Sequence, residues 1–131
     1  MLAIPRALVE EIFAHCRSRY PKEACGLLAG GSTVEAVYPM TNVEDSPIGY
    51  SMNPKEQLVV ERAMRQRGHR MLGIYHSHTA SDAYPSSVDV GLAISPDVSY
   101  VLVSLKDQAR PDLKSYRIDG PRVEPEEIKV M

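Results

Sequence analysis

Cysteine is scarce in this chain. Cys16 and Cys25 are the only two. They permit one bridge at most and exclude a disulfide framework, so a reduced chain in the cytoplasm is the simpler expectation. The chain also lacks a cluster of basic residues. Its 15 Lys and Arg are outnumbered by 17 Asp and Glu, for a formal net charge of -2, which argues against nucleic acid or an anionic membrane surface as a partner. No apolar run approaches the roughly 20 residues that cross a bilayer. The opening stretch MLAIPRALVEEIFAHCRSRYP is amphipathic and carries acids, unlike a secretory signal. No repeat, low-complexity tract or linker breaks the 131 residues, and one domain over residues 1–131 is expected. Histidine is scarce too: there are 4, and two of them stand one residue apart.

The rest of the chain alternates helical and strand patterns. Leu8, Val9, Ile12 and Phe13 mark one face of a helix over Arg6 to Tyr20, with Pro5 suited to its first turn and Pro21 beyond its end. ACGLLAGG reads as a short buried strand closed by Gly30 and Gly31, and TVEAVYPM as an alternating strand. After the turn-rich TNVEDSPIGYSMN, Asn53 and Pro54 open a second helix running to Arg67 and stopped by Gly68. Leu58, Val59 and Met64 are expected on its inner side. RMLGIYHSH is the next strand, SSVDVGLAI has helical spacing, and SYVLVSL reads as a central buried strand. DLKSYRI and RVEPEEIKV follow as strands, the second charged enough for a sheet edge. This order predicts an α/β chain with a mixed sheet and helices on its faces.

The chemistry gathers in GIYHSHTASDAYPSSVDV, residues 73–90. Residues i and i+2 of a strand share a face, so His76 and His78 converge while Ser77 points away. Two imidazoles on one face begin a zinc site, which needs a third ligand and a position for water. Asp89 stands eleven residues after His78, and a strand end, a loop and the first turn of a helix can fold it back. Ser86-Ser87-Val88-Asp89 also fits a helix capping box, and a cap does not exclude a ligand. A hydrolytic zinc site needs a proton acceptor as well. Glu23, just before the buried strand, can reach the rim of the same sheet. Glu35, Glu44, Glu56 and Glu61 compete for that role, the last two expected to face solvent. A Cys25–His nucleophile pair is the other reading of this region, set against the common role of Cys as a small core residue. His15 and His69 read as solvated or packing residues, and Tyr84-Pro85 as shaping the loop before Ser86.

Glu23 with ACGLL behind it, followed by His76-Ser-His78, seven residues, Ser86, two residues and Asp89, resembles the JAMM (MPN+) metallopeptidase signature. Every position of that signature is filled. The resemblance implies zinc on His76, His78 and Asp89, with water as fourth ligand. It implies Glu23 as the proton carrier and Ser86 as a hydrogen-bond donor to the oxyanion. It implies a cytidine-deaminase-like (JAB/MPN) α/β sandwich, and hydrolysis of an amide, often an isopeptide, at the C-terminus of a ubiquitin-like protein. YPKEACGLLAG, residues 75–104 and LKSYRI look most like the short bacterial Mec-type hydrolases. For that branch the implied substrate is a small ubiquitin-like sulfur-carrier protein with a Gly-Gly tail, from which cysteine is released. A non-catalytic MPN-type scaffold and an isopeptidase for another ubiquitin-like conjugate are the alternatives. A zinc deaminase is excluded, since H-x-E and P-C-x-x-C are both missing.

Overall fold

A computed structural model describes residues 1–93 and 95–131. The elements run β1 (Leu2–Ile4), α1 (Arg6–Arg19), β2 (Cys25–Gly30), β3 (Val34–Met40), α2 (Pro54–Gln66), β4 (Arg70–His78), α3 (Ser87–Leu92), β5 (Ser99–Ser104), β6 (Asp112–Asp119), β7 (Arg122–Glu126) and β8 (Ile128–Val130). Six strands form one sheet in the order β3-β2-β4-β5-β6-β7. Within it β4 and β5 are parallel, and the other neighbours are antiparallel. β5 lies inside the sheet with all six residues buried, as its apolar run predicts.

Alternation along the strands divides the core between two faces. Leu28, Tyr75, Val101 and Val103 pack with Val9, Ile12 and Cys16 of α1. On the opposite face Cys25, Leu27 and Met40 pack against Met64 and Val60 of α2. Leu102, Tyr100 and Ile118 meet Val90 and Ala93 in and after α3. The sheet is thus sandwiched between helices, and the two free thiols, Cys16 and Cys25, are buried on opposite sides of it.

Several expectations are corrected. Leu58 and Val59 are 63% and 69% exposed; Val60 faces the sheet in their place, beside Met64, which is buried as expected. β1 is an element the pattern did not predict. RVEPEEIKV is two strands rather than one: β7 is the edge of the large sheet, while β8 leaves it to pair in parallel with β1. The helical run after Ser86 ends at Leu92, and its last expected residue, Ile94, lies outside the described residues.

The parallel pairing of β4 and β5 positions the site. Parallel neighbours need a crossover, and here it is the segment of residues 79–98 with α3 inside it. The crossover starts where β4 ends at His78, so α3 hangs over the carboxyl end of the strand, where sheets of this kind place their sites. Two local devices hold neighbouring segments there. Ser77, on the far face from the histidines, accepts the Ala24 N–H at 2.8 Å and returns its own N–H to the Ala24 carbonyl at 3.0 Å. Glu23 is thereby fixed beside the end of β4. Asn53 caps α2 through the N–H groups of Lys55 and Glu56, with Pro54 at the first helical position.

Candidate metal centre

His76 and His78 leave the same face of β4, each 5% exposed. Their Nε2 atoms are 3.3 Å apart. Asp89 completes the group, with Oδ1 at 3.2 Å from His76 Nε2 and Oδ2 at 2.9 Å from His78 Nε2. All three ligand atoms lie within 4.8 Å of one another, and among the described residues this is the one group of three or more such side chains that could hold a metal ion. The donor set suits zinc: two imidazole nitrogens and one carboxylate leave a coordination position open. His78 is also prepared as a ligand. Its Nδ1 lies 2.9 Å from the Asp82 carbonyl; a carbonyl can only accept, so Nδ1 carries a proton and the ring is oriented with Nε2 toward Asp89, where an ion would displace the proton that Nε2 shares with the carboxylate.

The capping box is present as well. Ser86 Oγ accepts the Asp89 N–H at 3.1 Å, and Asp89 Oδ2 accepts the Ser86 N–H at 2.9 Å. The cap and the convergence on the histidines are one arrangement, because the cap sets the rotation of α3 that turns Asp89 toward β4. Ser86 uses its oxygen in this bond, so its hydroxyl hydrogen stays available to a substrate.

The charges are strongly interdependent. Burial works against the Asp89 carboxylate, but hydrogen bonds from His76 and His78 outweigh it and hold the group well below the usual carboxylate range. Burial holds His76 below the ordinary imidazole value. It opposes the charge on His78 too, yet bonds to Asp89 and the Asp82 carbonyl raise that imidazole above its ordinary value. Glu23 is 6% exposed. Burial pushes it up to about 7, with His78 pulling down and Asp89 and Glu44 pushing up. A carboxyl poised there can both take and return a proton near neutral pH.

Of the competing glutamates, Glu44 stands near enough to Glu23 to act on it by charge, while Glu35 and Glu56 are occupied elsewhere. Glu35 pairs with His69 at 3.3 Å. Glu56 is half-buried rather than solvated: it accepts the N–H and the hydroxyl of Thr41 at 2.9 and 3.0 Å. Glu61 is half-buried too. Cys25 faces His76 across the β2–β4 ladder, but burial pushes its thiol up to about 12, which disfavours a nucleophilic thiolate. His15 bonds Tyr75 at 2.6 Å beneath α1, a packing role. Tyr84 packs edge-on against Tyr116, and Pro85 lines the cleft.

That cleft, of about 190 Å³, opens beside His76 and Asp89 between α3 and the loop before α2; Tyr50, Met52, Ile74, Leu92 and Leu102 give it an apolar wall. Tyr50 and Asn42 are site residues that sequence reasoning missed. Both sit in a stretch legible only as turns, and nothing in its composition indicates what they touch.

Residues 5–119 match the family model described as prokaryotic homologs of the JAB domain. This chain belongs to that family. Over its full length it is similar to the CysO-cysteine peptidase of Mycobacterium tuberculosis, 47% identical across 134 residues that cover 100% of this chain and 92% of the relative. It is also similar to a probable TtuB-protein conjugate cleaving protease of Thermus thermophilus, 42% identical across 91 residues that cover 69% of this chain and 62% of that one. A solved structure from Desulfitobacterium hafniense matches this prokaryotic JAB chain with a TM-score of 0.91 at 43% identity, covering 100% of this chain and 93% of the other. Two further matches, each 20% identical, speak to fold alone. One is a JAB1/MPN domain protein from Archaeoglobus fulgidus (TM-score 0.66, covering 99% and 97%). The other is a JAMM structure described as a metalloprotease-like zinc site in the proteasome and signalosome (TM-score 0.65, covering 100% and 98%). The JAB/MPN α/β fold expected from the motif is the fold the chain has.

Proposed function

We propose that this protein is a zinc metallopeptidase that hydrolyses the amide bond joining cysteine to the C-terminus of a small ubiquitin-like sulfur-carrier protein. The observation that carries the chemistry is the convergence of His76, His78 and Asp89 beside the buried Glu23. The full-length similarity to a CysO-cysteine peptidase supports the substrate.

Zinc held by the three side chains would act as a Lewis acid, acidifying water and polarising the amide carbonyl. Glu23 takes the proton from the attacking water at its carboxylate and delivers it to the leaving nitrogen. Water adds across the bond: the carrier keeps a C-terminal carboxylate and cysteine departs as a free amine. Ser86 donates its remaining hydroxyl hydrogen to the carbonyl oxygen as negative charge builds there. The apolar cleft excludes water beside the reacting groups and strengthens these interactions. The buried free thiols at Cys16 and Cys25 support a cytoplasmic place of action.

A second reading, supported by the similarity to a conjugate-cleaving protease, is hydrolysis of an isopeptide between such a carrier and a lysine. One experiment separates them. The purified protein, with and without chelator, is offered a sulfur carrier extended by one cysteine and the same carrier linked to a lysine side chain, and products are read by mass spectrometry. Chelator-sensitive release of cysteine is expected. Cleavage of the lysine conjugate alone would shift the assignment to the second reading, and turnover unaffected by thorough metal removal would sink both.

A further inference from the structure

The two imidazoles of the cluster are held in different ways. His78 is fixed by the bond from Nδ1 to the Asp82 carbonyl. The polar contacts of His76 among the described residues all run through Nε2, toward the cluster; its other ring nitrogen has no such anchor. The ring is covered instead by Tyr50, stacked with centroids 4.5 Å apart and planes 27° from parallel.

Tyr50 is in turn placed by one buried amide. Asn42 is 6% exposed and commits its whole hydrogen-bonding capacity to the backbone. Its Nδ2 donates to the carbonyls of Glu23 and Gly49, each at 3.0 Å, and its Oδ1 accepts the N–H groups of Glu44 and Ser51 at 3.1 and 3.2 Å. The bonds to Gly49 and Ser51 bracket Tyr50 from both sides. The bond to Glu23 is matched by a second tie to the same loop, from the Glu23 N–H to the Ser46 carbonyl at 2.8 Å. One loop therefore grips the backbone of Glu23 and lays an aromatic ring on His76.

We propose that Asn42 and Tyr50 are a positioning unit: Asn42 pins the loop to the backbone of Glu23, and the loop clamps Tyr50 on His76 where an orienting hydrogen bond would otherwise stand. This rests on the roles proposed above for His76 and Glu23. An imidazole free to turn about its side-chain torsions must be brought back into place before it can bind an ion. Removing the partner that orients a metal-ligating histidine typically weakens metal binding about 10–100-fold. The stacked ring, not the phenol hydroxyl, does the clamping. At position 42 the two N–H donors matter, because an aspartate of the same shape would set a carboxylate oxygen against two carbonyls.

The test uses the full chain as wild type, Tyr50→Phe, Tyr50→Leu and Asn42→Asp. Zinc affinity is measured by competition with a chelator, the order of the His76 ring by NMR of the metal-free, histidine-labelled protein, and folding by thermal melt. Tyr50→Phe is expected to bind zinc within about threefold of wild type and to keep the His76 ring ordered. Tyr50→Leu is expected to bind zinc about 10–100-fold more weakly, with His76 ring signals averaged. Asn42→Asp is expected to lose about 10²-fold in kcat, since a displacement of an ångström in Glu23 suffices for that, and to loosen the same ring. Wild-type zinc affinity and an ordered His76 in Tyr50→Leu would overturn the proposal. So would equal losses in the Phe and Leu variants, which would assign the effect to the hydroxyl. If Asn42→Asp fails to fold, the two Tyr50 variants decide between these outcomes. A wild-type protein that binds no zinc would refute the metal reading itself, while the ring order of His76 in the metal-free chains still decides whether Tyr50 clamps it.

Discussion

Glu23 is buried, at 6% exposure, and the side chain of Glu126 is 5% exposed, yet the two are opposites chemically. Glu126, at the end of β7, accepts hydrogen bonds from the hydroxyls of Ser99 and Ser115 at 2.6 and 2.8 Å and from Arg117 Nε at 3.0 Å, with the N-terminal ammonium at 3.4 Å. Burial would raise its pKa, but these donors outweigh burial and hold the carboxyl below its ordinary value. On the Glu23 carboxylate no donor is found among the described residues, and burial dominates. A carboxylate whose lone pairs are all answered joins strands together. One left unanswered in a dry place is held ready for a proton. Burial alone does not distinguish structure from chemistry; the census of donors does.

The sharpest way to break this comparison is to neutralise each carboxylate in turn. Glu23→Gln keeps shape and cannot accept a proton, so kcat for the cysteine-extended carrier is expected to fall about 10²–10⁴-fold with zinc still bound. Loss of zinc in that variant, or unchanged turnover, would remove Glu23 from the proposed role. The hydroxyls repeat the contrast. Ser86→Ala is expected to lower kcat about 10–10³-fold and, through the lost cap, stability by about 1 kcal/mol. Ser115→Ala should touch stability alone. Melts and steady-state rates on the two variants check this; a Ser86→Ala protein that melts early but turns over normally would leave Ser86 as a cap and nothing more.

Glu126→Ala strips the acceptor from two hydroxyls and a guanidinium. Denaturant unfolding is expected to show a loss of about 2–4 kcal/mol, with kcat for folded protein unchanged. The smallest effect is a pH dependence. A carboxyl raised from 4.5 to about 7 in the folded chain binds more protons folded than unfolded across that window. The metal-free protein should therefore lose stability as pH rises from about 4.5 to 7, by about 1–2 kcal/mol after allowance for solvent screening. Glu23→Gln should remove that share of the slope. Glu126, lowered on folding, contributes in the opposite sense: its share is present at neutral pH and lost as pH falls through its folded value. An unchanged slope in Glu23→Gln would contradict the raised value.

What the sequence revealed of all this follows from range. The His-x-His pair was legible because strand geometry alone places i and i+2 on one face, and the capping box because it closes within one turn. The inner face of α2 was not. Leu58, Val59 and Val60 are consecutive and span more than half a helical turn, so the apolar run has no phase of its own and the sheet decides that Val60 turns inward. β1 and β8 are three residues each and become strands only by meeting across almost the whole chain, a partnership without a local signature. Asn42 was legible only as a turn former, since its bonds to residues 23, 49 and 51 exist only in the folded chain.

The pairing of β1 with β8 has a mechanical side. The two strands run parallel, one at the start of the chain and one at its end. They are fastened by bonds from Leu2 N–H to the Glu127 carbonyl at 2.8 Å, Met131 N–H to the Ile4 carbonyl at 3.0 Å and Arg6 N–H to the Met131 carbonyl at 2.9 Å. Tension applied between the two ends pulls these strands along each other rather than peeling them apart. The bonds then share the load in shear and must give way together, so a chain drawn from its ends resists at this short clasp before force reaches the sheet that carries the histidines.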